Sequence, residues 1–125
     1  MAAYDPDNIF ARILRGEIPC RKVHEDEHSL AFHDLHPQAP VHVLVIPKGA
    51  YVSFDDFSQR ASAEEITGFT RAVGLIARQL GVAPSGASGG YRLLANTGHD
   101  GGQEVPHFHV HLVGGGRLGR MLAKE

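Results

Sequence analysis

Three histidines recur at every second position near the end of the chain, in the stretch 105–113. Strict two-residue alternation is typical of a β-strand, because successive side chains of an extended chain point to opposite faces. The imidazoles on one face of this expected strand are His107, His109 and His111. The apolar side chains on the other face, which we expect to contact a core, are Phe108, Val110 and Leu112. Imidazoles titrate near neutral pH, so an aligned row of them is suited to chemistry.

Such a row can serve metal binding or, alternatively, phosphorus or acyl chemistry, and geometry separates these two uses. Neighbouring histidines on one strand face lie roughly 6.6 Å apart at Cα, and the outer pair about 13 Å. Three imidazoles of one straight strand cannot converge on a tetrahedral zinc ion, so a zinc site needs a ligand from elsewhere. Cys20 is the single cysteine, so no Cys-x-x-Cys pair supplies it. The row is better suited to an extended anion, with a central nucleophile and flanking donors. A strand with chance histidines is the structural alternative.

A glycine-rich loop, residues 96–103, leads directly into the histidine strand. Its glycines can adopt positive φ, so the backbone amides can turn towards a ligand and approach it closely. A Gly-Gly pair by itself is usually a turn between strands. Joined to three aligned histidines, this loop is expected to form half of a phosphate site.

The segment 107–113 resembles the histidine-triad motif, in which single apolar residues separate three histidines and two apolar residues follow. Further blocks match the Hint branch of that superfamily, the nucleotide phosphoramidases, in order and spacing over nearly the whole chain. These blocks are residues 7–10, 18–19, 30–34, 37–42, 45–48 and 100–103. The fragile-histidine-triad branch lacks this Gly-Gly ending, and galactose-1-phosphate uridylyltransferases carry Gln at the position of His111.

The resemblance implies a fold and an activity. The implied fold is α+β and HIT-like, with a five-stranded, mainly antiparallel sheet and two helices, paired into a homodimer. Residues 1–125 are expected to form a single domain in which 113–125 are a C-terminal tail. The implied activity is hydrolysis of purine nucleoside 5′-phosphoramidates, such as AMP-NH2, AMP-lysine and aminoacyl-adenylates, through a nucleotidyl-histidine intermediate. No cofactor and no metal are expected.

The catalytic residues that the resemblance implies are His42, His107, His109 and His111. His109 is the expected nucleophile, since the middle imidazole can attack phosphorus and split one displacement into two. The other three are expected to orient it and to bind phosphoryl oxygens. For His42, in an otherwise apolar strand, a satisfied core histidine is the structural alternative to a partner that fixes a catalytic tautomer.

A second set of residues falls where the family binds the nucleotide. The expected substrate-binding residues are Phe10, Ile13, Ile18, Phe32, His33, Asp34, Leu35, Asn96, Gly102, Gln103, Glu104 and Val105. The first three match the base pocket, Asp34 matches an acceptor of ribose hydroxyls, and Asn96 with the amides of 102–105 matches the phosphate and leaving-group site. Helix packing and, for Asp34, a strand-end cap are the structural alternatives.

The remaining pattern predicts the elements that position these residues. A short helix is expected over 4–16 with Asp5 or Asp7 as N-cap, and a longer one opens on a capping box at Ser62 and runs to Leu80. The stripe expected to cover the sheet is Ile66, Phe69, Val73, Ile76 and Leu80. The expected strands are 22–26, 28–35, 41–47 and 91–95, besides the histidine strand. Residues 51–60 show no clear period and are expected to be a connection.

Composition limits the possible partners. A net charge of −2 over 125 residues gives no general basic field for nucleic acid, so any phosphate affinity is local. No run approaches the roughly 18 apolar residues of a membrane span. The sequence therefore favours a cytoplasmic protein that binds a purine nucleotide and neither nucleic acid nor membrane, with a single Cys that fits a reducing compartment.

In the tail, Leu118, Met121 and Leu122 are candidates to reach the neighbouring subunit's site, with fraying as the alternative.

Glu104 departs from the animal Hint pattern, in which Ser commonly occupies this position. A carboxylate repels phosphate and favours a cationic leaving group, so we expect Glu104 to bias the chain towards amine-bearing substrates.

Two other functions compete with hydrolysis: a nucleotide-binding or adaptor protein with little turnover, and a zinc-binding module. The central His109 argues against the first, and the strand geometry argues against the second.

Overall fold

The structure, a computed structural model, describes residues 3–123. It contains one five-stranded sheet of order β1-β2-β3-β5-β4, in which every neighbouring pair is antiparallel. The strands are β1 Lys22–Glu25, β2 Ser29–His33, β3 Val41–Pro47, β4 Tyr91–Leu94 and β5 Val110–Gly114. The helices are α1 Ile9–Leu14, α2 Phe54–Arg60 and α3 Ala63–Gln79. The expected α+β class and five-stranded antiparallel sheet are confirmed.

The described residues form three helices, so the prediction of two was wrong. The additional helix, α2, lies in the stretch 51–60 that we expected to be an irregular connection. Its N-cap Ser53 accepts a hydrogen bond from the Asp56 amide, and Phe57 buries the inner face. A capping serine, acidic residues in the first turn and Arg60 in the last turn were helix signals. Seven residues are too few for periodicity to reveal them.

Helix α1 is shorter than predicted and has another cap. Asn8, not Asp5 or Asp7, is the N-cap, and its side-chain oxygen accepts the Ala11 amide at 2.9 Å. Asp5 instead closes the preceding turn, where its carboxylate accepts the Asp7 amide at 2.9 Å. Buried Phe10 then projects from the first turn of the helix towards the histidines.

Strand β5 begins at Val110, so the expectation of a regular strand over 105–113 was wrong for its first half. Pro106 lacks an amide, and the Phe108 amide donates to the Tyr51 carbonyl at 2.7 Å, outside the sheet ladder. The alternation of faces nevertheless persists, because buried Phe108 joins the same core cluster as Val110. Only one histidine of the three, His111, therefore lies in regular strand.

Apolar side chains pack on both faces of the sheet. Helix α3 opens on the predicted capping box of Ser62 and Glu65 and buries Phe69, Val73 and Ile76 against one face. The second, smaller cluster lies on the opposite face and comprises Phe10, Leu30, Phe32, Leu44 and Ile46. Since alternate residues of β3 belong to the two clusters, the central strand is buried on both sides, as its apolar sequence predicts. No helix within residues 3–123 is long and apolar enough to cross a membrane.

Candidate active site

Strands β3 and β5 bring the fourth histidine beside the triad. His42, in β3, lies opposite Val113 of β5, two pairs along the ladder from His111 opposite Leu44, so the two histidines share a face of the sheet. Its Nε2 lies 3.0 Å from Nδ1 of His111. The His109 and His111 ring centroids are 5.1 Å apart. The structure thus gathers His42, His109 and His111 into one row of imidazoles on the same side of the sheet as α1.

The proton on His109 has a defined position. Its Nδ1 lies 2.7 Å from the backbone carbonyl of His107, and a carbonyl only accepts, so Nδ1 carries the proton. The Nε2 lone pair is therefore free for attack. Burial lowers the pKa of His109, against opposing charges on Asp34 and Glu104, so the ring is neutral at neutral pH. Phe10 packs edge-on against it, with 4.9 Å between centroids, and restricts the plane of the His109 ring.

His107 is fully buried, and both of its ring nitrogens are occupied. Nε2 donates to the Pro47 carbonyl at 2.9 Å, and Nδ1 lies 2.7 Å from the Tyr4 hydroxyl. Burial lowers the pKa of His107 to about 4, so the ring is neutral. In this arrangement the side chain has no donor left for a phosphoryl oxygen, which does not fit the phosphate-binding part of its expected role, whereas the expected orienting of His109 fits. Its contribution to the site is the carbonyl that holds His109.

His111 presents the donor that His107 lacks. The Gln38 amide donates to Nδ1 of His42 at 3.1 Å, so the neutral His42 ring carries its proton on Nε2 and donates it to Nδ1 of His111. His111 then carries its own proton on Nε2. Burial, with His109 and His42 nearby, lowers the pKa of His111 to about 4. The two central imidazoles are therefore set as a complementary pair, a lone pair on His109 and an N–H on His111.

Asp34 caps the end of β2, as its structural alternative predicts, and it also lies beside His42. One carboxylate oxygen accepts the His36 amide at 2.8 Å and caps the turn after β2. The other lies 3.5 Å from Nε2 of His42. The carboxylate thus borders the row of imidazoles while it terminates the strand.

A cavity of about 360 Å³ opens beside His42 and His111. Asn96, Gln38 and the tail residue Leu118 also line it. The predicted site residue Asn96 is thereby brought to the histidines. The tail itself returns to its own chain, since the Arg92 guanidinium donates to the carbonyls of Gly119 at 2.9 Å and Arg120 at 3.1 Å. Met121 and Leu122, the other candidates for a contact across subunits, are exposed in the single chain.

The glycine-rich loop is braced by Gln103. Its side-chain oxygen accepts the Gly98 amide at 3.0 Å, and its nitrogen donates to the carbonyls of Val52 at 2.6 Å and Val105 at 3.0 Å. Gly98 and Gly102 both have positive φ, as the loop sequence predicts. Gln103 thus uses its amide to hold the loop, while Gly102 and Glu104 remain exposed.

The residues expected to bind the base divide by exposure. Phe10 and Phe32 pack against each other in the second core cluster with 5.6 Å between centroids, and they are 6% and 4% exposed. The residues that are half-buried or exposed are Ile13, Ile18, His33 and Leu35. The latter four side chains are therefore accessible from solvent, whereas the two phenylalanines belong to the core.

Two groups of side chains within residues 3–123 could hold a metal ion, because one ligand atom from each member lies within 4.8 Å of the others. The first group is Asp34, His42 and His111, and the second is Glu27, His28 and Glu64. The first combines ligands from two strands and the turn after β2, so Asp34 and His42 are ligands from outside the histidine strand that the sequence did not identify. Two imidazoles and one carboxylate are suitable zinc ligands. Metal-free action therefore stays a prediction, and EDTA treatment tests it.

Sequence reasoning missed Tyr4, Gln38 and the Pro47 carbonyl as partners of the histidines. Tyr4 is 103 positions from His107, and no local pattern indicates a contact over that separation. Gln38 acts through its backbone amide, which no side-chain motif reports. The two prolines that flank Gln38 were the available signal that its loop is fixed.

Comparisons with known proteins agree with this geometry. A family model for the HIT domain matches residues 15–118. The chain is 63% identical over 121 residues to an uncharacterised 13.2 kDa HIT-like protein from Azospirillum brasilense, covering 97% of this chain and 96% of that protein. It is 45% identical over 120 residues to the purine nucleoside phosphoramidase of Escherichia coli K12, covering 95% and 96%. A solved histidine triad protein from Clostridium difficile matches with a TM-score of 0.80 at 38% identity, covering 96% and 100%.

Proposed function

Because the chain belongs to the HIT domain family, we propose that it hydrolyses purine nucleoside 5′-phosphoramidates to the nucleoside monophosphate. The observation that carries the proposal is the 2.7 Å hydrogen bond from His109 Nδ1 to the His107 carbonyl, which leaves Nε2 as a nucleophile. The relative from Escherichia coli, named as a purine nucleoside phosphoramidase, supports the choice of substrate class.

In the first step, the Nε2 lone pair of His109 attacks the α-phosphorus and the phosphorus–nitrogen bond breaks. The nitrogen leaves as an amine after taking a proton from water. His109 becomes a nucleotidylated imidazolium whose Nδ1–H stays bonded to the His107 carbonyl, which stabilises the charge that develops on the ring. His111 Nε2–H donates to a phosphoryl oxygen, with His42 holding its tautomer.

In the second step, water attacks the same phosphorus and loses a proton to the hydroxide that the first step left in solvent, the bond to His109 breaks, and the monophosphate is released with His109 neutral again. Two displacements at phosphorus replace one, and His109 is already held in position for both of them. Asp34 is proposed to accept the ribose hydroxyls, and the amides from Gly102 to Val105 with Asn96 to bind the phosphate and the leaving group. The four half-buried or exposed residues Ile13, Ile18, His33 and Leu35 are proposed to contact the base.

The test is release of AMP from adenosine 5′-phosphoramidate by protein treated with EDTA, with AMP affinity measured in parallel. We expect turnover that EDTA does not reduce. AMP binding without release would favour the nucleotide-binding or adaptor function instead. Activity that disappears with EDTA and returns with zinc would point to the group Asp34, His42 and His111 as a working metal site.

We further propose that exposed Glu104 selects cationic leaving groups. Its negative charge raises the pKa of His109 against the effect of burial, which supports a position close enough to act on groups bound at this histidine. Glu104→Ser is expected to lower the ratio of kcat/KM for AMP-lysine to that for AMP-propylamine by about 2- to 5-fold, the scale of an exposed ion pair. Glu64→Ser, an exposed glutamate on α3, is the matched control. An unchanged ratio in Glu104→Ser would exclude this role.

We also propose that two copies pair through the β4 edge and the adjoining helices. β4 ends the sheet, and an apolar cavity of about 480 Å³ lies beside it, lined by Phe54, Phe69 and Leu93 among others. Leu93 and Phe54 are 48% and 53% exposed and line the same apolar surface, and contiguous apolar surface of this kind marks interaction sites. Sedimentation equilibrium is expected to give a dimer for wild type and a monomer for Leu93→Lys, with Ile9→Lys, at an exposed position in the first turn of α1, as control. A monomeric wild type contradicts the proposal.

A further inference from the structure

The N-terminal segment touches the buried histidine of the triad. The Tyr4 hydroxyl lies 2.7 Å from Nδ1 of His107, and the two rings meet edge to face with 5.6 Å between centroids. Tyr4 precedes α1 and also precedes residue 15, where the match to the HIT domain begins. We propose that Tyr4 is a positioning residue that holds His107 and, through the His107 carbonyl, the nucleophile His109.

The direction of the hydrogen bond follows from the other partner of the ring. The Pro47 carbonyl, 2.9 Å from Nε2 of His107, only accepts, so Nε2 carries the proton of the neutral imidazole. Nδ1 then has a lone pair in a fully buried position and needs a donor. The Tyr4 hydroxyl is that donor. Tyr4 therefore completes the hydrogen bonding of a ring that has no access to water.

The turn before α1 places Tyr4 against His107. Both the backbone amide and the side-chain amide of Asn8 donate to the Asp5 carbonyl, at 3.2 and 2.8 Å. Asn8 also caps α1, so the helix start and the turn that precedes it form one rigid unit. Phe10, in the first turn of that helix, contacts His107 and His109 edge-on, with 6.4 and 4.9 Å between centroids.

The contact between Tyr4 and His107 affects the orientation of His109 rather than the binding of the substrate. The His107 carbonyl accepts the His109 Nδ1 proton at 2.7 Å, so any movement of the His107 backbone changes both the orientation and the tautomer of His109. With the hydroxyl of Tyr4 removed, the unsatisfied Nδ1 favours rotation of the His107 ring or entry of water. We expect the fraction of His109 in the Nδ1–H tautomer to fall, and kcat with it.

The variant Tyr4→Phe removes the donor and keeps the ring, and Tyr91→Phe on the edge strand is the matched control. For adenosine 5′-phosphoramidate we expect kcat to fall about 2- to 10-fold with KM nearly unchanged, the loss that one hydrogen bond of ordinary strength gives. Tyr91→Phe is expected to match wild type. The kinetic part of this inference rests on the proposed hydrolysis, so the ring nitrogens are measured as well.

Nitrogen-15 NMR of the histidine side chains supplies a result that does not depend on turnover. In Tyr4→Phe the His107 Nδ1 resonance is expected to move towards that of an unbonded nitrogen, and the His109 shifts towards a mixture of tautomers. Unchanged shifts at His109 overturn the inference, whether or not kcat changes, and so does an unchanged kcat in an active enzyme. If wild type lacks turnover while the shifts change as expected, hydrolysis fails and the positioning of His109 by Tyr4 stands.

Discussion

Replacing His109 with alanine is expected to lower kcat for adenosine 5′-phosphoramidate by at least about 10³-fold, the scale on which removal of a catalytic nucleophile acts. Nε2 of His109 is the lone pair that the hydrogen bond to the His107 carbonyl leaves free. The neighbouring His111 cannot take over, because His42 already donates to its Nδ1 and its remaining nitrogen carries a proton. Steady-state release of AMP measures the effect.

The control for this variant is His24→Ala, which removes a histidine on the edge strand β1 that pairs with Asp26 at 2.8 Å, outside the row formed by His42, His109 and His111. It is expected to retain kcat. The affinity of His109→Ala for AMP is expected to stay within a few fold of wild type, since the proposed base and ribose contacts are unchanged. Retention of kcat in His109→Ala would contradict the assignment of the nucleophile.

The stability of the protein is expected to fall between about pH 6.5 and pH 4, with His107 as a main cause. Its pKa is lowered from 6.5 to about 4 by burial, so in this range the unfolded chain binds a proton that the folded protein does not. Above pH 6.5 His107 is neutral in both states, so the free energy of unfolding does not depend on its titration. Between pH 6.5 and pH 4 the free energy of unfolding decreases as the pH falls, and below the folded pKa of about 4 it levels off. The full contribution is about 3 kcal/mol.

The measurement is the free energy of unfolding in urea across this range for wild type and His107→Gln. The variant is less stable near neutral pH, because it loses the fit to Tyr4 and Pro47, but its curve against pH is expected to be flatter. The difference between the two proteins should shrink by about 3 kcal/mol towards pH 4. His99→Gln, which removes a fully exposed histidine, is the control. Parallel curves for wild type and His107→Gln would exclude His107 as the source.

The sequence was most informative where one local pattern determines the structure. Strand β3 has the predicted bounds, because a nearly continuous apolar run of seven residues must be buried on both faces, which places it in the middle of the sheet. The capping box fixed the start of α3, and the alternation around His109 predicted which side chains face the core. The resemblance to the histidine-triad family is confirmed. Each of these inferences uses spacing within one element or one continuous motif.

The features that the sequence did not predict depend on contacts between segments that are distant along the chain. The strand ladder stops at Val110 because the Phe108 amide bonds to Tyr51, 57 positions earlier, and alternation alone does not report which partner an amide has. Gln103 was predicted to bind substrate, yet its side-chain amide forms hydrogen bonds with three backbone groups of the protein itself. The role of His107 changed for the same reason, since Pro47 and Tyr4 occupy a ring that the motif presents as equal to its neighbours.

The most direct test of the account is whether a nucleotide becomes attached to His109. Excess EDTA-treated protein is mixed with adenosine 5′-phosphoramidate labelled at phosphorus and quenched in alkaline detergent, because phosphorylated histidine hydrolyses in acid. We predict that label enters the protein before free AMP appears, that it maps to the peptide containing His109, and that His109→Ala takes up none. Release of AMP without protein-bound label, or label that persists in His109→Ala, would contradict the account.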